Sequence, residues 1–498
     1  MDYGEDYFDD MDEGGENMFD YFDEDEMTPE MAEWLENYRQ GQQAPGPLEY
    51  DRISASEMLE NCIVPTSLQM VQGLFSVLVM SFIFRIVAQL RRASAKEGEG
   101  GVPEWMVHFA SSVFGVMVLH TLFRLALIYL VVCCALTYLF LVLLAPGGRR
   151  MSGPATTALI AAYAVFCELW LVEPTTWHQI RGAQMVLSMK IISLAFDFGS
   201  GAIIDLPNIF DFMGYSFHVG TVIFGPWVSY EDYHKSLMAE KLPLSFGWLL
   251  KCVSSCLLSV VCLLYSTCFT HWIILDHASK WLLAYRDAQS FRFSHYFVSF
   301  MSETTAVLSG IGWSEEDGNV QWTLSVSKPH NIELPRSLVE VVTNWNLPMH
   351  YWLKTYVFKA ARRYGTFAAV LCTYAASSLL HGLNFQLASV LFSLGFYSYA
   401  EFVLREKLSR IFSACIQAKR CKEGCKHSYT PYHPCTIVAN TTFFLLSVLH
   451  LAYLGLMFDS SSQEEQGYTM EHTLSKWYHL DFLSHKIAFG TFVLHLLI

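Results

Sequence analysis

The residue best suited to chemistry is a histidine inside a long apolar stretch. His381 is the only side chain that titrates near neutral pH between residues 366 and 400. An ionisable residue at membrane depth costs on the order of a few kcal/mol, so it is a functional-site hypothesis by default. On a helix, Tyr374, Ser377 and Ser378 would share its face. These hydroxyls fit two hypotheses equally well: they line a pocket, or they bind a purely structural histidine.

A second group of candidate residues lies just before that stretch. Residues 344–363 (NWNLPMHYWLKTYVFKAARR) open with two asparagines and a proline and continue as a predicted amphipathic helix at the membrane surface. Its cations bind either lipid headgroups, which is the commoner case, or the phosphates of an anionic cofactor such as coenzyme A. The aromatic and cationic members of this helix are Tyr351, Trp352, Lys354, Tyr356, Phe358, Lys359, Arg362 and Arg363.

Two further stretches do not look like plain membrane-spanning helices. Lys190 and Asp197 are seven residues apart in the apolar stretch 181–201, so the spacing predicts that they share one helix face. Residues 225–233 begin with Gly-Pro, which breaks a helix. Irregular or charged segments at membrane depth indicate a hollow centre. An interfacial helix followed by an ordinary loop explains both stretches equally well.

The thirteen cysteines do not predict a disulfide framework, since most lie in apolar runs, where cysteine is a small hydrophobic residue. Those in apolar runs are Cys133, Cys134, Cys252, Cys256, Cys262, Cys268 and Cys372. A basic loop instead contains Cys415, Cys421, Cys425, His427, His433 and Cys435. Its Cys-x3-Cys-x-His spacing is one that zinc can use. The irregular, proline-interrupted pattern favours the other interpretation, a reduced cytosolic loop that is S-acylated at the membrane edge.

The elements that must position these residues are membrane helices. The chain has 498 residues, of which 53% are hydrophobic and 16% charged, whereas an ordinary soluble domain has roughly 25% charged residues. Residues 125–145 contain no charge, and a run of about 20 such residues matches the bilayer core. Similar or shorter runs recur along the chain. We therefore predict an all-α polytopic membrane protein with 9 to 11 transmembrane or re-entrant helices.

Charge divides the chain into two regions. Residues 1–50 contain 17 acidic residues and one basic residue, Arg39, so they account for the whole net charge of −15. Such a block repels itself, and we predict that residues 1–59 form a disordered, solvated tail ahead of a membrane domain at 60–498. Seven lysines and arginines between Arg405 and Lys426 place that loop in the cytosol.

The order of the motifs is similar to that of a known family. The segment Trp345-Asn346-Leu347-Pro348, then an amphipathic helix, then the Ser377-x-x-x-His381 pattern in a long apolar run, resembles the membrane-bound O-acyltransferase family. One member of that family resembles the chain more closely, over nearly all of the membrane domain. The stretches that match it are 181–197, 224–230, 325–349, 373–382 and 464–470.

The resemblance implies an enzyme of the endoplasmic reticulum membrane that transfers palmitoleate from coenzyme A to a serine of Wnt proteins. Its helices would surround a central catalytic cavity containing His381 and Asn346. The expected partners are Wnt proteins, fatty acyl-CoA and membrane lipids, without nucleic acid. Palmitoleoyl-CoA is the donor, and neither a metal nor a permanently bound cofactor is required. The candidate substrate-binding residues are Trp345, Tyr356, Lys359, Arg363, Tyr374, Ser377 and Ser378.

The chemistry of the candidate residues agrees with acyl transfer to a hydroxyl. A neutral histidine is a suitable base for a serine hydroxyl. Asn346 would either donate a hydrogen bond to the thioester oxyanion or orient the acceptor hydroxyl, and the sequence leaves both open. The rival hypothesis is a transporter or channel in which His381 and the Lys190/Asp197 pair form a proton or ion path. A structural or receptor role is the third.

We predict that the acidic tail is dispensable for catalysis, because it is separate in sequence from every candidate site residue. Deletion of residues 1–50 should leave acyl transfer within a few-fold of the full-length rate, measured on membranes with matched protein levels. Complete loss of activity in a correctly inserted protein would contradict this prediction.

Overall fold

A computed structural model describes residues 54–96, 103–239, 244–422, 424–458 and 470–498 of the chain. The acidic segment 1–53 lies outside the described residues, so its disorder stays a prediction. Residues 464–469 of the last matching stretch also lie outside them. The part that the structure describes begins one residue before a single compact unit, Ala55–Ile498.

Helices dominate that unit, as predicted. The long ones are Val64–Lys96, Glu104–Phe123, Leu127–Leu144, Ser152–Phe166, Pro174–Ser200, Phe246–Leu264, Lys280–Ser309, Thr366–Leu380, Phe385–Phe412, Pro434–Gly455 and Leu483–Leu497. Shorter α-helices are Ala55–Met58, Ile209–Ser216, Tyr230–Met238, Thr270–Ile273, Pro329–Glu333, Leu338–Trp345, Leu347–Trp352, Lys359–Ala361 and Met470–His479. Single turns of π-helix lie at Leu59–Ile63, Cys167–Leu171, Tyr265–Phe269 and Leu353–Phe358, and 3-10 turns at Arg124–Ala126, Arg149–Met151 and Arg362–Tyr364. Within the described ranges, the strands Trp313–Glu316 and Asn319–Trp322 form an antiparallel hairpin, with Trp313 opposite Trp322.

Six helical stretches among the described residues are long and apolar enough to cross a membrane, or seven if the bent pair Met470–His479 and Leu483–Leu497 is one span. The six are Ala55–Arg91, Glu104–Leu144, Arg149–Leu171, Phe246–Ile273, Phe385–Phe412 and Pro434–Gly455. The all-α membrane fold is therefore confirmed. The range of 9 to 11 also counted shorter or interrupted runs, such as those within Pro174–Ser200 and Lys280–Ser309. The run 366–400 counted as one stretch, but the structure divides it between Thr366–Leu380 and the start of Phe385–Phe412. We call Pro174–Ser200 the central helix, Lys280–Ser309 the polar helix and Thr366–Leu380 the histidine helix.

The central helix is buried inside the protein along most of its length. The interfacial alternative for residues 181–201 is therefore wrong. Lys190 is fully buried, and its Nζ donates to Thr221 Oγ1 at 2.7 Å and to the Tyr215 carbonyl at 3.1 Å. The Asp197 carboxylate instead accepts from Tyr356 at 3.0 Å. Lys190 and Asp197 therefore bind different elements and do not form a pair. The transporter hypothesis needed this pair for its proton path, so the structure does not support it.

One disulfide corrects the interpretation of the cysteines. Cys62 and Cys268 are bonded, and they join the turn Leu59–Ile63, near the start of the first span, to the turn Tyr265–Phe269, which follows Phe246–Leu264. The prediction that Cys268 is a small hydrophobic residue in an apolar run is therefore wrong. The pair was not detected from sequence because its members lie 206 residues apart. Cys133, Cys134, Cys252 and Cys262, in contrast, are free and buried, as predicted for small hydrophobic residues.

Candidate active site

His381 lies at the C-terminal end of the histidine helix, Thr366–Leu380. Its backbone N–H donates to the carbonyls of Ser377 and Ser378, at 3.3 and 3.1 Å. The half-buried imidazole ring makes no side-chain hydrogen bond to any residue that the structure describes. The purely structural hypothesis required bonds from the ring to the neighbouring hydroxyls, and these are not formed. Both ring nitrogens therefore remain available to a substrate.

A carboxylate from another helix fixes the turn that follows His381. The Leu383 N–H donates to both oxygens of Glu168, at 2.9 and 3.0 Å. Between His381 and Leu383, Gly382 has φ +93°, and a Cβ on it would lie 2.9 Å from a Glu168 oxygen. Only glycine meets both requirements without strain. Glu168 therefore positions the chain on which His381 is presented, a role that its sequence context did not indicate.

An apolar cavity opens beside this turn. It runs between the central helix, the histidine helix, the span Arg149–Leu171 and residues 352–357, and its lining is mostly apolar. Apolar walls with a few polar groups are typical of a site for a long acyl chain. The lining residues are Thr157, Ile160, Ala161, Ala164, Glu168, Trp177, Arg181, Gln184, Met185, Ser188, Ile192, Trp352, Val357, Ala376, Leu379, Leu380 and Gly382.

Asn346 occupies the junction of two helices, Leu338–Trp345 and Leu347–Trp352. Its Oδ1 accepts from the Met349 N–H at 3.0 Å, which is the bond of a helix N-cap. A backbone N–H can only donate, so this bond identifies the oxygen of the amide and leaves Nδ2 on the other side. Nδ2 has no partner among the described residues. Of the two roles open from sequence, the donor to an oxyanion is the one that the free Nδ2 favours.

Three carboxylates, of which Glu303 and Glu401 are buried and Glu333 is half-buried, hold the segment 325–346. Glu303 of the polar helix accepts from the Val326 N–H at 2.7 Å. Glu333, within the segment, binds Arg292 of the polar helix through two bonds of 2.8 and 2.9 Å. Glu401 of Phe385–Phe412 accepts from the Leu338 N–H at 2.8 Å. Charge-assisted bonds of this kind are stronger than neutral ones, so they fix the backbone that leads to Asn346.

A second histidine, His295 of the polar helix, contacts Trp345. Its ring stacks on Trp345, with centroids 4.7 Å apart, and its Nε2–H donates to the Trp345 carbonyl at 3.3 Å. His295 therefore lies beside the Trp345–Asn346 junction. Sequence reasoning did not select it, although it lies in the apolar run that begins at residue 293, because the sequence does not show its contact with Trp345.

The remaining substrate-binding candidates fall into two groups. Ser377 and Ser378 are buried beside His381, whereas Tyr374 packs on Gly395 of the neighbouring helix. Trp352 donates through its indole N–H to the Met189 carbonyl of the central helix at 2.9 Å, and Tyr356 binds Asp197 of the same helix. Two of the aromatics of the predicted surface helix at 344–363, Trp352 and Tyr356, therefore pack on protein, whereas Tyr351 is exposed.

The cations of that segment are all exposed. We define the basic patch as Lys354, Lys359, Arg362 and Arg363. Arg363 lies over the Tyr364 ring at 4.7 Å, and within the described residues no member of the patch pairs with a carboxylate. These charges are therefore free for an anionic ligand or for lipid headgroups.

Changing the four patch residues to glutamine should raise the apparent KM for acyl-CoA and leave the dependence on the acceptor peptide largely unchanged. The effect should shrink at high salt, because exposed charges are screened beyond about 10 Å at 0.1 M. Initial rates over a series of acyl-CoA concentrations measure it. Arg410→Gln, an exposed cation outside the patch, is the matched control. An unchanged KM would mean that the patch only anchors the protein to headgroups.

Comparison with known proteins finds one family model and several relatives. A sequence model of the MBOAT, or membrane-bound O-acyltransferase, family matches residues 61–412. The human protein named protein-serine O-palmitoleoyltransferase porcupine is 41% identical over 89% of the chain and 97% of its own length. The Drosophila melanogaster protein of the same name is 33% identical over 89% and 87%. Lysophospholipid acyltransferase 2 of Arabidopsis thaliana is 25% identical over 47% of the chain and 60% of its own length.

Proposed function

The chain belongs to the membrane-bound O-acyltransferase family, and from this premise we propose that it transfers palmitoleate from acyl-CoA to a serine of Wnt proteins in the endoplasmic reticulum membrane. The chain spans nearly the whole length of the human serine palmitoleoyltransferase to which it is similar. The single observation that supports the proposal is the His381 ring, which makes no side-chain hydrogen bond to a described residue and precedes Gly382, a residue that lines an apolar cavity.

The proposed reaction is a direct transfer. His381 takes the proton of the serine hydroxyl as its oxygen attacks the thioester carbon. Asn346 Nδ2–H donates to the oxyanion that develops on the thioester oxygen. The carbon–sulfur bond then breaks, and coenzyme A leaves as a thiol with the proton that His381 returns. The acyl chain lies in the apolar cavity, and the basic patch attracts the phosphates of coenzyme A.

The direction of the helices supports two separate entrances. The histidine helix begins three residues after Arg363 of the basic patch and ends at His381, about 22 Å away at 1.5 Å per residue. Phe385–Phe412 runs back beside it, since the Phe367 and Tyr399 rings are 5.1 Å apart. Its far end leads into the basic loop after Phe412, which positive charge places in the cytosol. Acyl-CoA thus meets the patch from the cytosol, and the secreted acceptor reaches His381 from the lumen.

The decisive experiment offers the purified protein two acceptors at once. Radiolabelled palmitoleoyl-CoA is incubated with a Wnt-derived serine peptide and a lysophospholipid, and a peptide with alanine in place of the serine is the control. Label should enter the serine peptide only. Label in the lysophospholipid instead would assign the activity named for the Arabidopsis relative and refute the proposal. No transfer to either acceptor would refute it as well.

A covalent acyl-enzyme at Cys372 is the main competing mechanism, and we predict that it does not operate. Cys372 is exposed, and it precedes His381 by nine residues, which places it about 180° away around an ideal helix. Cys372→Ala should retain activity within a few-fold of wild type in the same peptide assay. An acyl thioester trapped on Cys372 by mass spectrometry would overturn the direct-transfer mechanism.

A further inference from the structure

We propose that Cys415, Cys421, Cys425 and His427 bind a structural zinc ion. They lie in what we call the cysteine loop, residues 413–433, between the helices Phe385–Phe412 and Pro434–Gly455. One ligand atom from each of the four lies within 4.8 Å of the others. Three cysteines and one histidine are one of the ligand sets that structural zinc uses.

The distances in the group fit a tetrahedral centre. The sulfurs of Cys415 and Cys425 are 3.2 Å apart, and His427 Nδ1 lies 3.5 Å from Cys415 Sγ and 3.6 Å from Cys421 Sγ. Zinc–sulfur bonds of about 2.3 Å in a tetrahedron put the sulfurs about 3.8 Å apart. Small movements of the side chains therefore suffice to enclose the ion. His433 and Cys435 do not belong to the group: His433 packs on Tyr429, and Cys435 is exposed.

The ring of His427 is oriented by a serine. The Ser409 hydroxyl donates to the Ala414 carbonyl at 2.6 Å, so its oxygen is left to accept from His427 Nε2–H at 3.4 Å. This bond puts the proton on Nε2 and leaves the lone pair of Nδ1 directed at the sulfurs. Histidines that bind metals are usually held in this way through their other nitrogen.

Hydrogen bonds that do not involve the ion hold the backbone of the loop around Cys415. Arg336 donates to the carbonyls of Cys415 and Gln417, at 2.8 and 3.0 Å. Arg405 donates to the Ile416 carbonyl at 2.7 Å. The Cys415 N–H donates to the Tyr429 carbonyl at 3.0 Å, which brings the two ends of the loop together. The site is therefore preformed, and Cys415 is fully buried within it.

Charge also favours the ion. Three thiolates, one neutral histidine and Zn²⁺ sum to a net charge of −1. Lys419, Arg420, Lys422 and Lys426 lie between or beside the ligands in sequence, so the negative centre has cations near it. The same cations repel a Zn²⁺ ion, but the negative charge of the three thiolates outweighs this repulsion once the thiols have lost their protons.

The loop and the disulfide lie at opposite ends of the membrane domain. Gly455 packs directly on Ala288, and Ser290 binds the Ser266 carbonyl at 2.8 Å, so the end of Pro434–Gly455 is level with Cys268. The cysteine loop precedes the start of that 22-residue helix, about 33 Å away. One end of the protein therefore contains the oxidised pair, and the other contains reduced thiols suited to zinc.

The zinc ion would also support Asn346, a consequence that depends on the proposed function. Ser337 Oγ donates to the Ala418 carbonyl of the cysteine loop at 3.0 Å. Ser337 caps the helix Leu338–Trp345, whose C-terminal neighbour is Asn346. Loss of the ion should therefore loosen the cap of the helix that presents the catalytic amide and lower turnover.

The test measures metal first and activity separately. Wild-type protein purified without chelator should contain about one zinc per chain by mass spectrometry of the metal. Its cobalt form should show the absorption of a tetrahedral thiolate site, which needs no variant. Cys421→Ser should lose the metal, and Ser409→Ala should bind it about 10- to 100-fold more weakly. Cys435→Ser, outside the group, should keep it.

Three results would overturn the zinc site. The first is wild-type protein that neither retains nor takes up Zn²⁺. The second is a Cys415–Cys425 disulfide in protein kept from oxidation, found by peptide mapping. The third is equal metal loss from Cys435→Ser. Because zinc content is counted without substrate, failure of the zinc site is distinguishable from failure of the proposed acyl transfer.

Discussion

Replacing His381 with alanine should lower acyl transfer by about 100- to 10,000-fold, the usual loss when a general base is removed. The serine hydroxyl is a poor nucleophile until a base shares its proton, and water does not replace that base in an apolar site. Protein level and acyl-CoA binding should survive, because the His381 ring makes no hydrogen bond to any residue that the structure describes. Single-turnover rates and equilibrium acyl-CoA binding measure the two effects separately.

Two further variants sharpen this experiment. His381→Gln keeps a polar side chain of similar length and should be as inactive as the alanine variant. His120→Ala removes a histidine from the exposed face of Glu104–Phe123 and should behave as wild type. A His381→Ala protein that neither accumulates nor binds acyl-CoA would favour a structural histidine. Near-normal turnover in it would exclude the base.

The second large effect is expected at Asn346. Its two roles, helix cap and oxyanion donor, can be separated by a variant that replaces Nδ2 with an oxygen. Asn346→Asp keeps an acceptor for the Met349 N–H, and aspartate caps helices as well as asparagine does. It loses the Nδ2 donor, so turnover should fall about 100- to 1,000-fold, as after removal of an oxyanion donor. Thermal stability should change little, whereas Asn346→Ala should lose both the cap and the rate.

Both kcat and thermal stability must be measured to distinguish an oxyanion donor from a residue that only caps its helix. Turnover of Asn346→Asp close to wild type would show that the residue only caps its helix. Thr343→Ala, in the helix that ends just before Asn346, is the control, because its hydroxyl donates to carbonyls of its own helix and accepts only a long bond of 3.4 Å, from the Asn344 amide. It should leave both quantities near their wild-type values.

The membrane fold was predictable because long uncharged runs have few alternatives. The polar helix was only half predicted, from residue 293 onward. Its first half contains Arg286 and Arg292, and Arg292 is buried by its bonds to Glu333. Sequence shows the charge of a residue but not the partner that neutralises it. For the same reason, Lys190 and Asp197 suggested a pair, although their partners come from other elements.

The candidate site divides in the same way. His381 and Asn346 were selected because each has a distinctive local context, a solitary histidine in an apolar run and an asparagine before a proline. Glu168 and His295 have no such context, and only the packing of distant segments brings them to the site. Cys415 was included in the cysteine cluster, although it lies outside the Cys-x3-Cys-x-His spacing. The β-bridge between Ala414 and Tyr429 brings it close to the other three ligands.

The three carboxylates that hold residues 325–346 have a consequence for the order of events during synthesis. Glu303 and Glu333 are translated before Asn346, but Glu401 comes 55 residues after it. A ribosome that has just completed Asn346 has therefore made a segment with two of its three anchors. We therefore expect the Trp345–Asn346 junction to take its final position only when Phe385–Phe412 enters the membrane and Glu401 reaches the Leu338 N–H. The candidate active site would then be completed late in biogenesis, by a helix that contributes neither His381 nor Asn346.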